Sequence, residues 1–167
     1  MQMENRKPIK RDAAIIELSK DHHFALLLIW KIREGLKKSI EPFRISRYVV
    51  HFFDTDLIQH FREEEEILFT KIPQENKLIQ EAFQHHRDIK QLVDDMKKNP
   101  GDRTLPEKFA DRLEKHIRFE ERELFNYIQE TISESSLKEI GSSLSSRQHE
   151  PDGAWNDIFW ENTTSKK

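Results

Sequence analysis

A chain of 167 residues without a single cysteine has no disulfide framework and no thiolate for metal binding or nucleophilic attack, yet it is long enough for one domain with a real core. Charged residues make up 35% of it and the formal net charge is only −3, a mixed surface that argues against a dedicated nucleic-acid binder. No apolar run approaches bilayer-spanning length, and the polar start from Met1 to Arg11 lacks the apolar stretch of a signal peptide, so a cytoplasmic protein with no membrane role is the expectation.

Eleven Phe and 3 Trp against 4 Gly and 6 Pro suit long helices better than a turn-rich β fold. Residues 1–11 read as a flexible start. A first helix is expected from Asp12 to Lys38, where Ile15, Leu18, His22, Ala25, Ile29, Ile32 and Leu36 recur by three and four. Glu41-Pro42 interrupts it, as a proline at a helix start does. The second helix runs from Phe43 to Lys71 with Val49, Phe53, Leu57, His60, Glu64 and Ile67 inward, and Pro73 closes it. The third, from Gln74 to Lys98, turns Ile79, Ala82, Phe83, His86, Ile89, Val93 and Met96 inward. Asn99-Pro100-Gly101-Asp102 is a turn, and a fourth helix from Leu105 to Ile132 carries Phe109, Leu113, His116, Glu120 and Leu124. Short connections between long amphipathic helices predict an all-α, antiparallel up-down four-helix bundle over residues 12–132.

Residues 133–167 are expected to pack on that bundle. Leu137, Ile140 and Leu144 predict a short fifth helix that runs into the polar stretch Ser142 to His149. Trp155, Ile158, Phe159 and Trp160 then form an apolar cluster, read either as a cap on an open end of the bundle or as a docking segment that would make a homodimer.

Two segments share one phrase. His60-Phe61-Arg62-Glu63-Glu64-Glu65-Glu66-Ile67-Leu68-Phe69 and His116-Ile117-Arg118-Phe119-Glu120-Glu121-Arg122-Glu123-Leu124-Phe125 have in common the histidine, an arginine two on, a Glu-Glu pair four and five on, and a closing Leu-Phe. Positions i and i+4 are neighbours on one helical face, so each phrase aims an imidazole and a carboxylate the same way. At about 1.5 Å of rise per residue, His22, His60, His86 and His116 lie about 24, 27, 18 and 16 Å below the end that holds Lys38 and Asn99, a spread compatible with one site across the bundle. Buried carboxylates such as Glu64 and Glu120 are costly without a positive partner, and a cation supplies one. His22 continues its stripe better than His23, and His86 better than His85 by a small margin. Glu65 and Glu121 are candidates for orienting a ligand histidine from behind. Glu63 and Glu66 are assigned to a solvated face, and His51 and His149 to the surface.

Imidazoles and carboxylates suit iron, zinc or manganese, and four His with two Glu exceed the needs of one tetrahedral zinc. Two ions bridged by the two carboxylates, with iron the first choice, fit that set. The ordered segments Asp21-His22-His23, His60 to Glu65, His85-His86-Arg87-Asp88-Ile89 and His116 to Glu121 resemble the hemerythrin-like, or HHE cation-binding, family from about Ile15 to Phe125. The resemblance implies a four-helix bundle around a non-haem di-iron centre, oxo- or hydroxo-bridged, with His22, His60, Glu64, His86, His116 and Glu120 as ligands. Oxygen carriers of that family have a fifth histidine one turn from the third-helix ligand. Lys90 and Ala82 stand at those places here, which resembles the bacterial branch with four His and two Glu.

The function expected from this is binding or sensing of oxygen, nitric oxide or iron. A di-iron enzyme that reduces peroxide, nitric oxide or oxygen is the alternative, and a metal-free structural bundle is the third reading. Only two Tyr, Tyr48 and Tyr127, and no Cys leave few protein electron relays, which favours binding over turnover.

Overall fold

The computed structural model describes residues 11–144, which are largely helical, and 155–161, which form turns and extended chain, with no strand among them. Helix α1 spans Ala13–Lys37 and starts where the Asp12 side chain accepts the Ala14 N–H. Helix α2 begins at Pro42 and continues to Lys71 in consecutive segments: α-helical Pro42–Phe52, a π turn Phe53–Leu57, α-helical Ile58–Glu63, a second π turn Glu64–Leu68 and a 3-10 turn Phe69–Lys71. Helix α3, Lys77–Lys98, is capped by the Asn76 side chain, which accepts from Leu78 and Ile79. Helix α4 comprises Thr104–Phe119, a π turn Glu120–Leu124 and a last α-helical segment Phe125–Thr131. A short α5, Glu134–Ser143, follows after Ser133 caps it. His149 lies outside the described residues.

Helix α1 packs on α4 and α2, α3 packs on α4 and α2, and α5 lies across α1. The expected inward residues of the four long helices are buried, except Leu36, Ile67 and Phe83, which are only partly so. A π turn inserts an extra residue, so the phase advances after Glu64 and it is Leu68 and Phe69 that are fully buried, while Ile67 is only partly so.

The apolar interior divides in two. One cluster gathers Ala25, Leu28, Ile32, Val49, Phe53, Leu57, Ile89, Phe109 and Leu113. The other gathers Ile15, Leu18, Leu68, Phe69, Ile79, Ala82, Leu124 and Phe125. On every one of the four long helices the predicted His or Glu falls between members of the two clusters, so the polar residues form a layer sealed from both sides.

The aromatic segment 155–161 turns onto this chain's own α1 and α2. Phe159 and Trp160 are buried, and Tyr48 meets the rings of Trp155, Phe159 and Trp160 at 5.5, 5.8 and 4.9 Å. Arg44 holds the Asp157 carboxylate through Nε and Nη2 at 2.9 and 2.5 Å. The buried Lys31 ammonium lies 4.3 Å from the centre of the Trp160 ring and donates to the Tyr48 hydroxyl. Ring and helix can approach so closely because position 35 is glycine: a Cβ there would stand 2.8 Å from Phe159.

Candidate metal centre

Each repeated phrase builds half of the site in the same way. The α-helical turn before Glu64 sets His60 Nε2 3.4 Å from Glu64 Oε2, and the equivalent turn sets His116 Nε2 3.3 Å from Glu120 Oε1. The π turns start at these two glutamates. Each Glu-Glu pair then grips one imidazole on another helix by both ring nitrogens. Glu64 Oε1 is 3.0 Å from His86 Nε2 while Glu65 Oε2 is 2.6 Å from His86 Nδ1. Glu120 Oε1 is 2.8 Å from His22 Nε2 while Glu121 Oε2 is 2.7 Å from His22 Nδ1. The closing phenylalanines complete the pattern, Phe69 stacked on His86 and Phe125 on His22.

These contacts bring His22, His60, Glu64, His86, His116 and Glu120 into one buried cluster. Two sets of four ligand-type atoms, each within 4.8 Å of one another, can be drawn from it: His22, His60, Glu64 and Glu120, and then Glu64, His86, His116 and Glu120. Both carboxylates belong to both sets, and they reach across to the far histidine as well, Glu120 to His60 at 3.8 Å and Glu64 to His116 at 3.9 Å. His23 is exposed and outside the cluster. His85 is half-buried and meets the cluster from behind, its Nδ1 3.1 Å from His116 Nδ1.

A family model for the hemerythrin HHE cation-binding domain matches residues 13–128, most of the chain and the whole of the four long helices up to the last turn of α4. The chain belongs to the hemerythrin HHE cation-binding family. Comparison with curated proteins and with solved structures gives no match.

The residues of this hemerythrin-like domain fit a cation. His60 Nε2, His116 Nε2, Glu64 Oε2 and Glu120 Oε2 are buried with no hydrogen-bond partner among the described residues, although groups of this kind are rarely left so. All four face the interior of the cluster. Every histidine in it has its other nitrogen, Nδ1, held from outside, by Glu121, Asp21, Glu65 and His85 in turn, so that Nε2 is the nitrogen turned to the interior.

Electrostatics of the hemerythrin-like site point the same way. Burial alone pushes the His22, His60 and His116 pKa values down, but the surrounding carboxylates outweigh it: His22 rises, His60 rises well above its usual value, and His116 is pushed up to about 9. Burial raises Glu120 and Glu64, and the neighbouring histidines more than reverse it, most strongly at Glu120. Without a metal the cluster therefore gathers protons to balance its carboxylates, and a cation is the natural competitor. His85 differs. Burial first, then the charges of His116 and Lys115, push it down to about 4, so it is neutral and its Nδ1 can accept a hydrogen bond.

Three residues stand apart from the sequence reading. Glu63 is buried at 4% exposure and does not lie on a solvated face; it sits three residues from His60, so the inward face of α2 includes it. Glu66, assigned with it, is exposed. Asp21 was not singled out as a site residue, yet it is 3% exposed and bonded to His60 at 2.7 Å. The signal was present: Leu18, Asp21, Ala25, Leu28 and Ile32 recur by three and four, with a lone acid in an apolar stripe. His51 is half-buried against Trp155, with the rings stacked at 4.7 Å.

Proposed function

We propose that this protein holds two iron ions, one among His22, His60 and the two glutamates and one among His86, His116 and the same glutamates, and that the pair binds or senses a small ligand such as oxygen or nitric oxide, or buffers iron itself. The single observation that carries the reading is the membership of Glu64 and Glu120 in both ligand sets, since two carboxylates shared by two histidine pairs are bridges for two ions. One ion alone would leave half of this buried donor set unused. Imidazole and carboxylate together favour iron, manganese or zinc over softer metals. When bound, iron supplies Lewis acidity and one-electron redox chemistry to whatever ligand enters. The chain's own contribution is to orient four imidazoles through their Nδ1 atoms, keep bulk water out with two apolar clusters, and hold the bridging carboxylates ready.

Metal analysis of protein purified without chelator tests it. About two iron atoms per chain are expected, with an optical spectrum that changes on exposure to oxygen or nitric oxide. Glu64→Gln and Glu120→Gln should lower metal content and melting temperature together, and the exposed Glu66→Gln should change neither. One tightly held zinc per chain, retained in Glu120→Gln, would sink the reading.

A further inference from the structure

The two halves of the centre match in most contacts, and one mismatch lies directly behind two of the ligand-type histidines. Behind His22 stands Glu121, and behind His86 stands Glu65, each with a cation beside it, Arg11 at 3.4 Å and Lys90 at 3.8 Å. Those two supports are both carboxylates with a cation beside them, and Glu121 accepts from the Ser19 hydroxyl at 2.8 Å as well. Behind His60 stands the carboxylate of Asp21, whereas behind His116 stands the imidazole of His85. The Asp21–His60 contact is shorter, 2.7 against 3.1 Å, and both of its partners are almost fully buried.

A carboxylate accepting from Nδ1–H makes the opposite nitrogen a stronger donor, and its charge is felt through little more than the width of one ring. A neutral imidazole in the same place gives orientation without that charge. His85 in turn has Glu81 3.5 Å from its Nε2, but half of that side chain is in water, where its charge is screened.

We infer that the two metal positions are inequivalent by construction, and that Asp21 is the positioning residue which makes the His22/His60 position the tighter one. The inference rests on the two-ion reading above. It assigns a consequence: the centre loads in two steps, with the His22/His60 position first, and a population with one metal per chain exists at intermediate supply. Such an order suits a protein whose second, weaker position reports on metal availability.

Anaerobic calorimetric titration of ferrous iron into the metal-free full chain tests this. The wild type should bind two equivalents with two resolved affinities. Asp21→Asn keeps a hydrogen-bond acceptor but loses the charge, and should weaken the tight step by about 10- to 100-fold while leaving the other step unchanged. Glu65→Gln should weaken the other step instead. His85→Asp places a carboxylate oxygen behind His116 and should bring the two affinities together, a gain of binding that a damaged fold cannot produce. Binding of two equivalents with one common affinity would overturn the inference, as would an Asp21→Asn variant in which both steps weaken alike or an His85→Asp variant whose gap is unchanged. A wild type that binds fewer than two equivalents would instead defeat the two-ion reading itself.

Discussion

His116 carries the clearest consequence at the scale of single residues. Its pKa in the folded, metal-free protein is pushed up to about 9 from an ordinary 6.5, with Glu120 the main cause once burial is overcome. A raised pKa means that folding favours the protonated ring, so the stabilisation is complete below about pH 6.5 and disappears as pH climbs through about 9. The size is on the order of 3 kcal/mol for a shift of this extent. Metal-free protein should therefore melt at falling temperature between pH 6.5 and 9, and His116→Gln should flatten that slope; an unchanged slope in the variant would refute the assignment. Glu120 works in the other direction. Held well below its usual range, it contributes above about pH 4.5 and loses that contribution as pH falls through its folded value.

At the scale of elements, Gly35 separates helix propensity from packing. An alanine in a helix interior normally gains about 1 kcal/mol over glycine. Here the new methyl would meet Phe159 at 2.8 Å and Ile45 at 3.0 Å, and Phe159 is itself buried. Overpacking of this kind costs about 1–3 kcal/mol. Gly35→Ala should loosen segment 155–161, seen as red-shifted tryptophan emission with unchanged helical circular dichroism; a variant that is simply more stable would show that the segment yields without cost. The four long helices, their inward stripes and the paired His/Glu phrases were readable in the sequence because each rests on local periodicity. The π turns were not, since Glu64 to Leu68 has nothing in its composition to distinguish it from an α turn. Glu63 was misplaced because an acidic run reads as solvent-facing, and Asp21 was overlooked because its partner His60 is 39 residues away.

For the whole molecule, metal and protons compete for one set of buried atoms. Metal binds only after the histidines give up their protons, so its contribution to stability grows with pH over the window in which the metal-free protein weakens. At a free metal concentration 100 times the dissociation constant, that contribution is about 2.7 kcal/mol. Melting curves with and without ferrous iron, taken from pH 6 to 9, should therefore diverge steadily. Parallel curves would mean that the buried histidines are not the groups the metal displaces. No helix among the described residues is long and apolar enough to cross a membrane.

The twofold pattern of grips also sets a timetable. Glu64 and Glu65 reach His86 across only 22 and 21 residues, whereas Glu120 and Glu121 reach His22 across 98 and 99. Closing the longer span costs about 1.3 kcal/mol more in chain entropy, and contacts between distant residues form late. During synthesis α1 emerges first yet must wait for α4, the last of the four long helices, before His22 finds its partners. Pulse-labelled amide exchange during refolding should therefore show α2 and α3 protected before α1, and simultaneous protection of all four long helices would refute that order. The helix made first is the last one locked.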